Sequence, residues 1–355
     1  MTTPAGRPGD DTDEQTQIFS RSTTMSRRSE LHVTTANTGN LVVKTGFKGY
    51  DVCLNSYVGC QMGCSYCYVR FFNLDKEREW GDFVRVREHI AERLPKELDK
   101  GYFKLATGKD DEGNRLHRTV LLQDARLVIG TMTDPYQPLE RKHRLTQAAL
   151  KIILSRKVTF NKVGIFTRSP IILDDLPLIV QLPRKRVHYT VTPYTPEVLQ
   201  LIEPIAIRTD RRFDTIRKLK EAGVRCHVNV APSIPIVSEQ FTDEYARTMA
   251  DIQVDEFFVD PMQTYSESFA ALGECMKGHP DWERIEEIMS DKASYEEWKL
   301  VYRDAWLAAW RKVRHLSPNT LPIWSDHVNK TWTNMNTNQE MDARAYGDDL
   351  EPRGI

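Results

Sequence analysis

Cys60, Cys64 and Cys67 stand at CxxxCxxC spacing in the stretch Gly59-Cys-Gln-Met-Gly-Cys-Ser-Tyr-Cys-Tyr68, with the aromatic Tyr66 directly before the third thiol. Three thiolates on so short a loop can hold three irons of a [4Fe–4S] cube and leave the fourth iron without a protein ligand. Structural clusters and structural zinc sites normally take four protein ligands. Three ligands plus an open position is the pattern of a centre that binds a further molecule and acts on it. The competing reading is a zinc knuckle completed by a distant His89 or Cys53. Zinc motifs, however, usually pair their cysteines as CxxC at both ends.

Such a loop has to be carried by a scaffold, and the chain of 355 residues is long enough for one barrel-sized unit with appendages. Lys and Arg total 49 against 50 Asp and Glu, a net charge of −1, so no global field draws nucleic acid. The basic clusters Arg141-Lys142-His143-Arg144 and Arg184-Lys185-Arg186, and Arg311, Lys312 and Arg314, have acids nearby and read as solvated faces. Cys53, Cys226 and Cys275 are scattered without framework spacing, a reducing-compartment pattern. Residues 1–38 are polar, with no apolar run for a signal or a membrane span, and read as a disordered leader on a cytoplasmic protein.

From Tyr50 onward, short β-branched runs alternate with amphipathic stretches, the pattern of βα units around a parallel sheet. Six strands are predicted, at 51–57, 126–134, 162–169, 186–193, 225–232 and 255–262. Helices are predicted near 82–98, 139–154, 173–182, 210–222 and 242–252. In the 210–222 helix, Phe213, Ile216 and Leu219 recur at helical spacing and Gly223 supplies the stop. Six units cannot close an eight-stranded barrel, so a partial (βα)6 barrel open on one side is expected, with working residues at the strand C-termini. Segment 104–118 reads as a polar excursion with a hairpin tip. After Met262 a helix over 295–316 carries Trp298, Tyr302, Trp306 and Trp310 at i, i+4 steps, read as a packing face that caps the open side or bottom of the barrel. The expected division is a leader over 1–40, a barrel over 41–275, and a helical extension with a loose tail over 276–355.

The cluster stretch resembles the signature of the radical S-adenosylmethionine (SAM) family, CxxxCxφC with φ aromatic. In that family the open iron chelates the amino and carboxylate groups of SAM, and reductive cleavage gives a 5′-deoxyadenosyl radical. Further segments resemble, in order, the branch of spore photoproduct lyase: Thr133-Asp-Pro-Tyr-Gln-Pro138, Phe166-Thr-Arg-Ser169, Thr190-Val-Thr192, Ile202-Glu-Pro204, Ala222-Gly-Val224 and Val230-Ala-Pro232. The resemblance covers about residues 50–263. It implies a partial barrel fold, a [4Fe–4S] cluster, SAM, and a low-potential electron donor such as flavodoxin or ferredoxin.

It also implies roles for residues. Tyr66 lies against the adenine. Thr133 and Asp134 end the second strand, where acceptors for the SAM ammonium are needed; alternatively Asp134 starts a turn before Pro135. Arg168 stands where relatives carry a Lys that meets the SAM carboxylate, which a guanidinium fork can also do. Its plain alternative is an ion pair. Thr190 and Thr192 share a strand face, and relatives use a Ser at the first for SAM; β-propensity alone also explains two threonines. Asn229 and Val230 would border the adenine. Tyr68 matches a tyrosine of the family's radical relay and is a donor, a relay or a packing residue.

One departure bears on the substrate. Spore photoproduct lyases end the second strand with Cys-Thr-Ser-Asp, whose Cys gives a hydrogen atom to the repaired thymine; this chain reads Thr131-Met-Thr-Asp134. A threonine O–H bond is too strong for that step. The expected function is therefore hydrogen abstraction from an unidentified nucleobase, small molecule or peptide. The alternatives are thymine-lesion repair with a non-cysteine donor, and a non-enzymatic Fe–S redox sensor that binds nucleic acid.

Overall fold

The computed structural model describes residues 20–21, 30–36, 39–264, 266–326 and 331–341. Its centre is one sheet of ten strands that lie side by side in chain order among the described residues. They are β1 (Val42–Lys44), β2 (Val52–Leu54), β3 (Arg126–Ile129), β4 (Lys162–Thr167), β5 (Arg186–Val191), β6 (Arg225–Ser233), β7 (Glu256–Pro261), β8 (Leu321–Asp326), β9 (Thr331–Asn334) and β10 (Gln339–Met341). Strands β2 to β8 are parallel, while β1, β9 and β10 run antiparallel to their neighbours. Each parallel step needs a crossover, and helices supply most of them.

The two sheet faces differ because consecutive strand residues point to opposite sides. On one face Leu54, Leu127, Ile129, Val163, Ile165, Val187, Val228 and Phe257 are all buried and join the main apolar core with the helices. Each such burial contributes roughly 1.5–3 kcal/mol. The opposite face is aromatic and polar. Phe166, His188 and His227 are register neighbours on β4, β5 and β6, with ring centroids 4.3 and 4.6 Å apart, and Phe258 stacks on His227 at 4.4 Å. Tyr50 joins this row through a 2.7 Å hydrogen bond with His188 Nε2. Gly164 makes room for it: a Cβ there would stand 2.1 Å from the Tyr50 hydroxyl.

All six expected strands exist, and β8 is a seventh parallel strand that the sequence pattern did not signal. Pro322 inside it removes a ladder donor and hides the run. The stretch expected as helix over 82–98 is a strand, Phe83–Val86, followed by a helix, Ile90–Leu98. Phe83–Val86 pairs with His32–Thr35 and with Tyr57–Val58, and that pairing overrides local helical spacing. The predicted excursion at 104–118 is a β-hairpin, Tyr102–Lys109 with Arg115–Leu121. The tryptophan stripe lies on helix Lys292–Val313, and Trp306 and Trp310 are fully buried against Phe257 of β7 at 5.8 and 5.0 Å. Because Phe257 belongs to the helix-covered core, this helix packs on the helix-covered face of the sheet; it is part of the crossover that delivers β8. Most of the expected leader, and the tail beyond residue 341, lie outside the described residues. Within the leader, His32–Thr35 is an ordered strand.

Candidate active site

Loop 59–67 follows strand Tyr57–Val58 and closes on two tight turns, Gly63 N–H to Cys60 O and Cys67 N–H to Cys64 O, each 3.2 Å. Gly59 (φ +87°) is obligatory, since a Cβ there would lie 2.5 Å from Phe83 O. Short helix Tyr68–Phe72 begins directly after Cys67. The segment after β3 holds the loop in place. Gly130 (φ +89°) turns the chain at the strand end, and its missing Cβ leaves space for Pro135. From there Thr133 Oγ1 donates to Gly59 O (2.6 Å), Gln137 Oε1 accepts from Gln61 N–H (2.8 Å), and Leu139 N–H donates to Gln61 Oε1 (2.7 Å). Ser65 N–H bonds Ile202 O at 3.0 Å, and Ser268 Oγ bonds Cys67 O at 3.0 Å. The three cysteines are thus fixed above the C-terminal ends of β2 and β3.

The donor set fits an iron–sulfur cube. Cys60 and Cys64 are buried and Cys67 is half-buried. Burial pushes all three thiols up, Cys67 to about 12, and a bound cation such as iron would favour their thiolate form. The Asp134 N–H is aimed at Cys60 Sγ from 3.5 Å, a contact suited to thiolate. Among the described residues no three Cys, His, Asp or Glu side chains converge as they would around one metal ion. A cube does not ask for that convergence, because each thiolate holds its own iron.

Beside the loop lies a buried polar network centred on Glu203, which is fully buried. Glu203 Oε1 accepts from the Tyr66 hydroxyl, from Arg168 Nη1 (2.9 Å) and from Thr192 Oγ1 (3.3 Å). Glu203 Oε2 accepts from Arg212 Nη2, and Arg212 Nη1 donates to Thr192 Oγ1 at 3.1 Å. Burial alone would push the Glu203 carboxyl up, but Arg212 and Arg168 hold it below the usual glutamate value. The Arg168 guanidinium also sits 5.4 Å from the Tyr66 ring centroid. Tyr66, Arg168 and Thr192, chosen separately from the sequence, therefore meet at one carboxylate.

The remaining sequence-selected residues are placed less uniformly. Asp134 accepts from Thr167 Oγ1 (2.7 Å), Tyr136 N–H (2.9 Å) and Arg168 N–H (3.0 Å), tying the end of β4 to the turn after β3. Burial pushes its carboxyl up against those bonds. Thr133 gives its hydroxyl hydrogen to the cluster loop, as above. Thr190 and Asn229 are register partners on β5 and β6, both half-buried on the aromatic face. Val230 is fully buried in the helix-side core, so its side chain and that of Asn229 cannot border one ring. Tyr68 is 47% exposed, donates its hydroxyl to Thr131 O and packs 6.3 Å from Phe47. Thr131 accepts from Asn55 Nδ2 at 3.2 Å, and the same amide reaches Cys53 Sγ at 3.8 Å.

Sequence reasoning gave Glu203 and Arg212 no role. The available signal was a single acid in apolar text, Leu201-Ile-Glu-Pro-Ile-Ala206. An acid so placed is buried, and a buried acid needs a partner.

No helix among the described residues is long and apolar enough to cross a membrane. An uncharacterized protein of Methanocaldococcus jannaschii is 25% identical over 242 residues, covering 64% of this chain and 82% of the relative. An uncharacterized protein of Mycobacterium tuberculosis is 26% identical over 197 residues, covering 54% of this chain and 50% of the relative, so the match spans half the length of that protein. Among solved structures, a spore photoproduct lyase mutant matches with TM-score 0.58 at 13% identity, covering 82% of both chains. Another, with bound AdoMet and dinucleoside spore photoproduct, matches with TM-score 0.52 at 14% identity, covering 82% of this chain and 80% of that one. These two likenesses concern the fold. The family model of the radical SAM superfamily matches residues 54–252, over half the chain and including every cluster cysteine, and with the loop geometry above it makes this chain a member of the radical SAM superfamily.

Proposed function

We propose that this radical SAM enzyme abstracts a hydrogen atom from an unactivated carbon of an organic substrate, a nucleobase, a small molecule or a peptide. When bound, the [4Fe–4S] cluster and SAM supply a 5′-deoxyadenosyl radical, given an electron from a low-potential donor such as flavodoxin or ferredoxin. The observation that carries the reading is the convergence of Tyr66, Arg168 and Thr192 on Glu203 beside the three thiols. Among the described residues only Nη1 of the Arg168 guanidinium is engaged by protein acceptors, which leaves Nη2 and Nε to grip a carboxylate. Thr133 and Asp134 offer acceptor oxygens for the ammonium, Tyr66 and Asn229 flank the adenine with Val230 contributing backbone only, and Thr190 lends a hydroxyl. Tyr68, exposed between the cluster loop and Thr131, relays or donates the returning hydrogen. In this reading the sheet curves into a partial barrel whose body spans 41–275, the following segment adds the strands β8 to β10 to the same sheet, and the enzyme works in the cytoplasm.

The test is anaerobic reconstitution followed by reduction with dithionite. Slow release of 5′-deoxyadenosine without added substrate is expected. Arg168→Ala and Asp134→Ala should weaken SAM binding while iron content holds. Tyr68→Phe should spare SAM binding and impair turnover after radical formation. An iron-loaded, reduced protein that releases no 5′-deoxyadenosine sinks the reading.

A further inference from the structure

We infer that Glu203 and Arg212 are positioning residues that set the Arg168 fork for a ligand carboxylate, an inference that rests on the proposed SAM-dependent reading. The two Glu203 oxygens are divided between different partners. Oε2 is taken by Arg212, whose guanidinium is itself fixed by Thr192 Oγ1 at 3.1 Å and by Ile207 O at 2.9 Å. That leaves Oε1 in one orientation, where it holds Arg168 Nη1 at 2.9 Å together with the Tyr66 hydroxyl.

One of the two terminal nitrogens of Arg168 is thereby committed to protein. The rest of the guanidinium is turned away from Glu203, and the Arg168 side chain keeps 16% exposure. A bidentate grip on a ligand carboxylate requires the planar fork to stand at one angle, and a long arginine side chain does not hold an angle unaided. Tyr66 belongs to the cluster loop and Arg168 follows β4, so Glu203 also fixes the distance between the metal centre and the carboxylate grip. A ligand chelated at the open iron and held by its carboxylate needs both.

A purely structural ion pair would make a different prediction. Two fully buried, paired charges can be replaced by neutral residues of similar volume with little loss of stability. If the network only holds the fold, such a replacement leaves ligand recognition unchanged.

The experiment measures binding of SAM and of decarboxylated S-adenosylmethionine to anaerobically reconstituted holoenzyme, wild type against Glu203→Gln. The cluster's electron paramagnetic resonance is recorded with each ligand. Wild type should prefer SAM by about 10-fold or more, the worth of a charge-assisted hydrogen bond. In Glu203→Gln, affinity for SAM should fall about 10-fold while the decarboxylated analogue binds as before, and the spectral change on SAM addition should shrink.

Because a lone Arg212 left buried can unfold the protein, the double variant Glu203→Gln/Arg212→Met is the second arm, with the same expectation. Equal weakening toward both ligands, or undiminished preference for SAM, overturns the positioning role. Failure of both variants to hold the cluster also overturns it, because the network is then a folding element. A wild type that binds neither ligand overturns the proposed function instead. A wild type that binds both equally overturns the carboxylate grip and this inference with it.

Discussion

At the residue scale, ligand and bystander thiols differ in placement. Cys60, Cys64 and Cys67 share one loop built on glycine turns, whereas Cys226 sits on β6 with its Sγ 3.5 Å from Val224 O, and Cys53 lies on β2 near the Asn55 amide. Alanine at 60, 64 or 67 should each abolish the visible absorbance of a reconstituted cluster. Alanine at 53, 226 or 275 should leave about four irons per chain. A Cys53→Ala protein that emerges free of iron would show that the loop alone does not hold the cube. All three candidate ligands were legible in the sequence because a cluster loop is local: its spacing is its geometry. Glu203 and Arg212 were not legible as site residues. Glu203 meets Tyr66, distant along the chain, and Arg212 in turn holds Glu203, and single residues carry no spacing signal for such a meeting.

At the element scale, the connection after β3 couples helix packing to the cluster loop. Short helix Glu140–His143 breaks at Arg144 (φ +52°), and helix Leu145–Leu154 restarts immediately. Glu140 covers the restart, accepting from Leu145 N–H (3.1 Å) and Gln147 N–H (3.0 Å), and it also accepts from the Tyr57 hydroxyl just before the loop. Burial pushes its carboxyl up to about 7, from an ordinary value of 4.5. A raised acid stabilises the fold fully below its unfolded value, and that contribution is lost as pH rises through the folded value. Glu140's own contribution to stability should therefore decline between pH 4.5 and about 7, by up to about 3 kcal/mol. Glu140→Gln, neutral throughout, should flatten this decline at the cost of a constant offset of about 1 kcal/mol. Thermal unfolding across that pH range checks it, and parallel curves for the two proteins would count against the assignment. The sequence predicted one helix over 139–154. It did not show the break, because the left-handed residue is an arginine and not the glycine that normally announces one.

At the scale of the whole molecule, stability rests on the crossover that delivers β8. Trp306 and Trp310 bury completely against Phe257, and Tyr302 joins them edge-on to Trp306 at 6.3 Å. Trp306→Ala should cost about 3–5 kcal/mol. Denaturant unfolding measures it, and a loss under 1 kcal/mol would mean that the helix is peripheral to the cooperative unit. The stripe was readable as a packing face because helical periodicity is a local property. Its partner was not, since the surface it covers exists only once β7 lies in the sheet.

The sequence by itself determined what short-range chemistry can encode: the three-cysteine spacing of the candidate cluster loop, the alternation of strands and helices, the six strands β2 to β7, and the departure at Thr131. Only the tertiary structure decided which residues from different strand ends share one carboxylate, that a seventh parallel strand completes the row, and that the Val230 face of β6 is the one covered by helices. The physical reason is the range of the interactions. Turns, periodicity and ligand spacing act within a few residues, whereas Glu203 reaches Tyr66 across 137 positions and Arg168 across 35. Contacts of that span become favourable only after the sheet has brought the strand ends together.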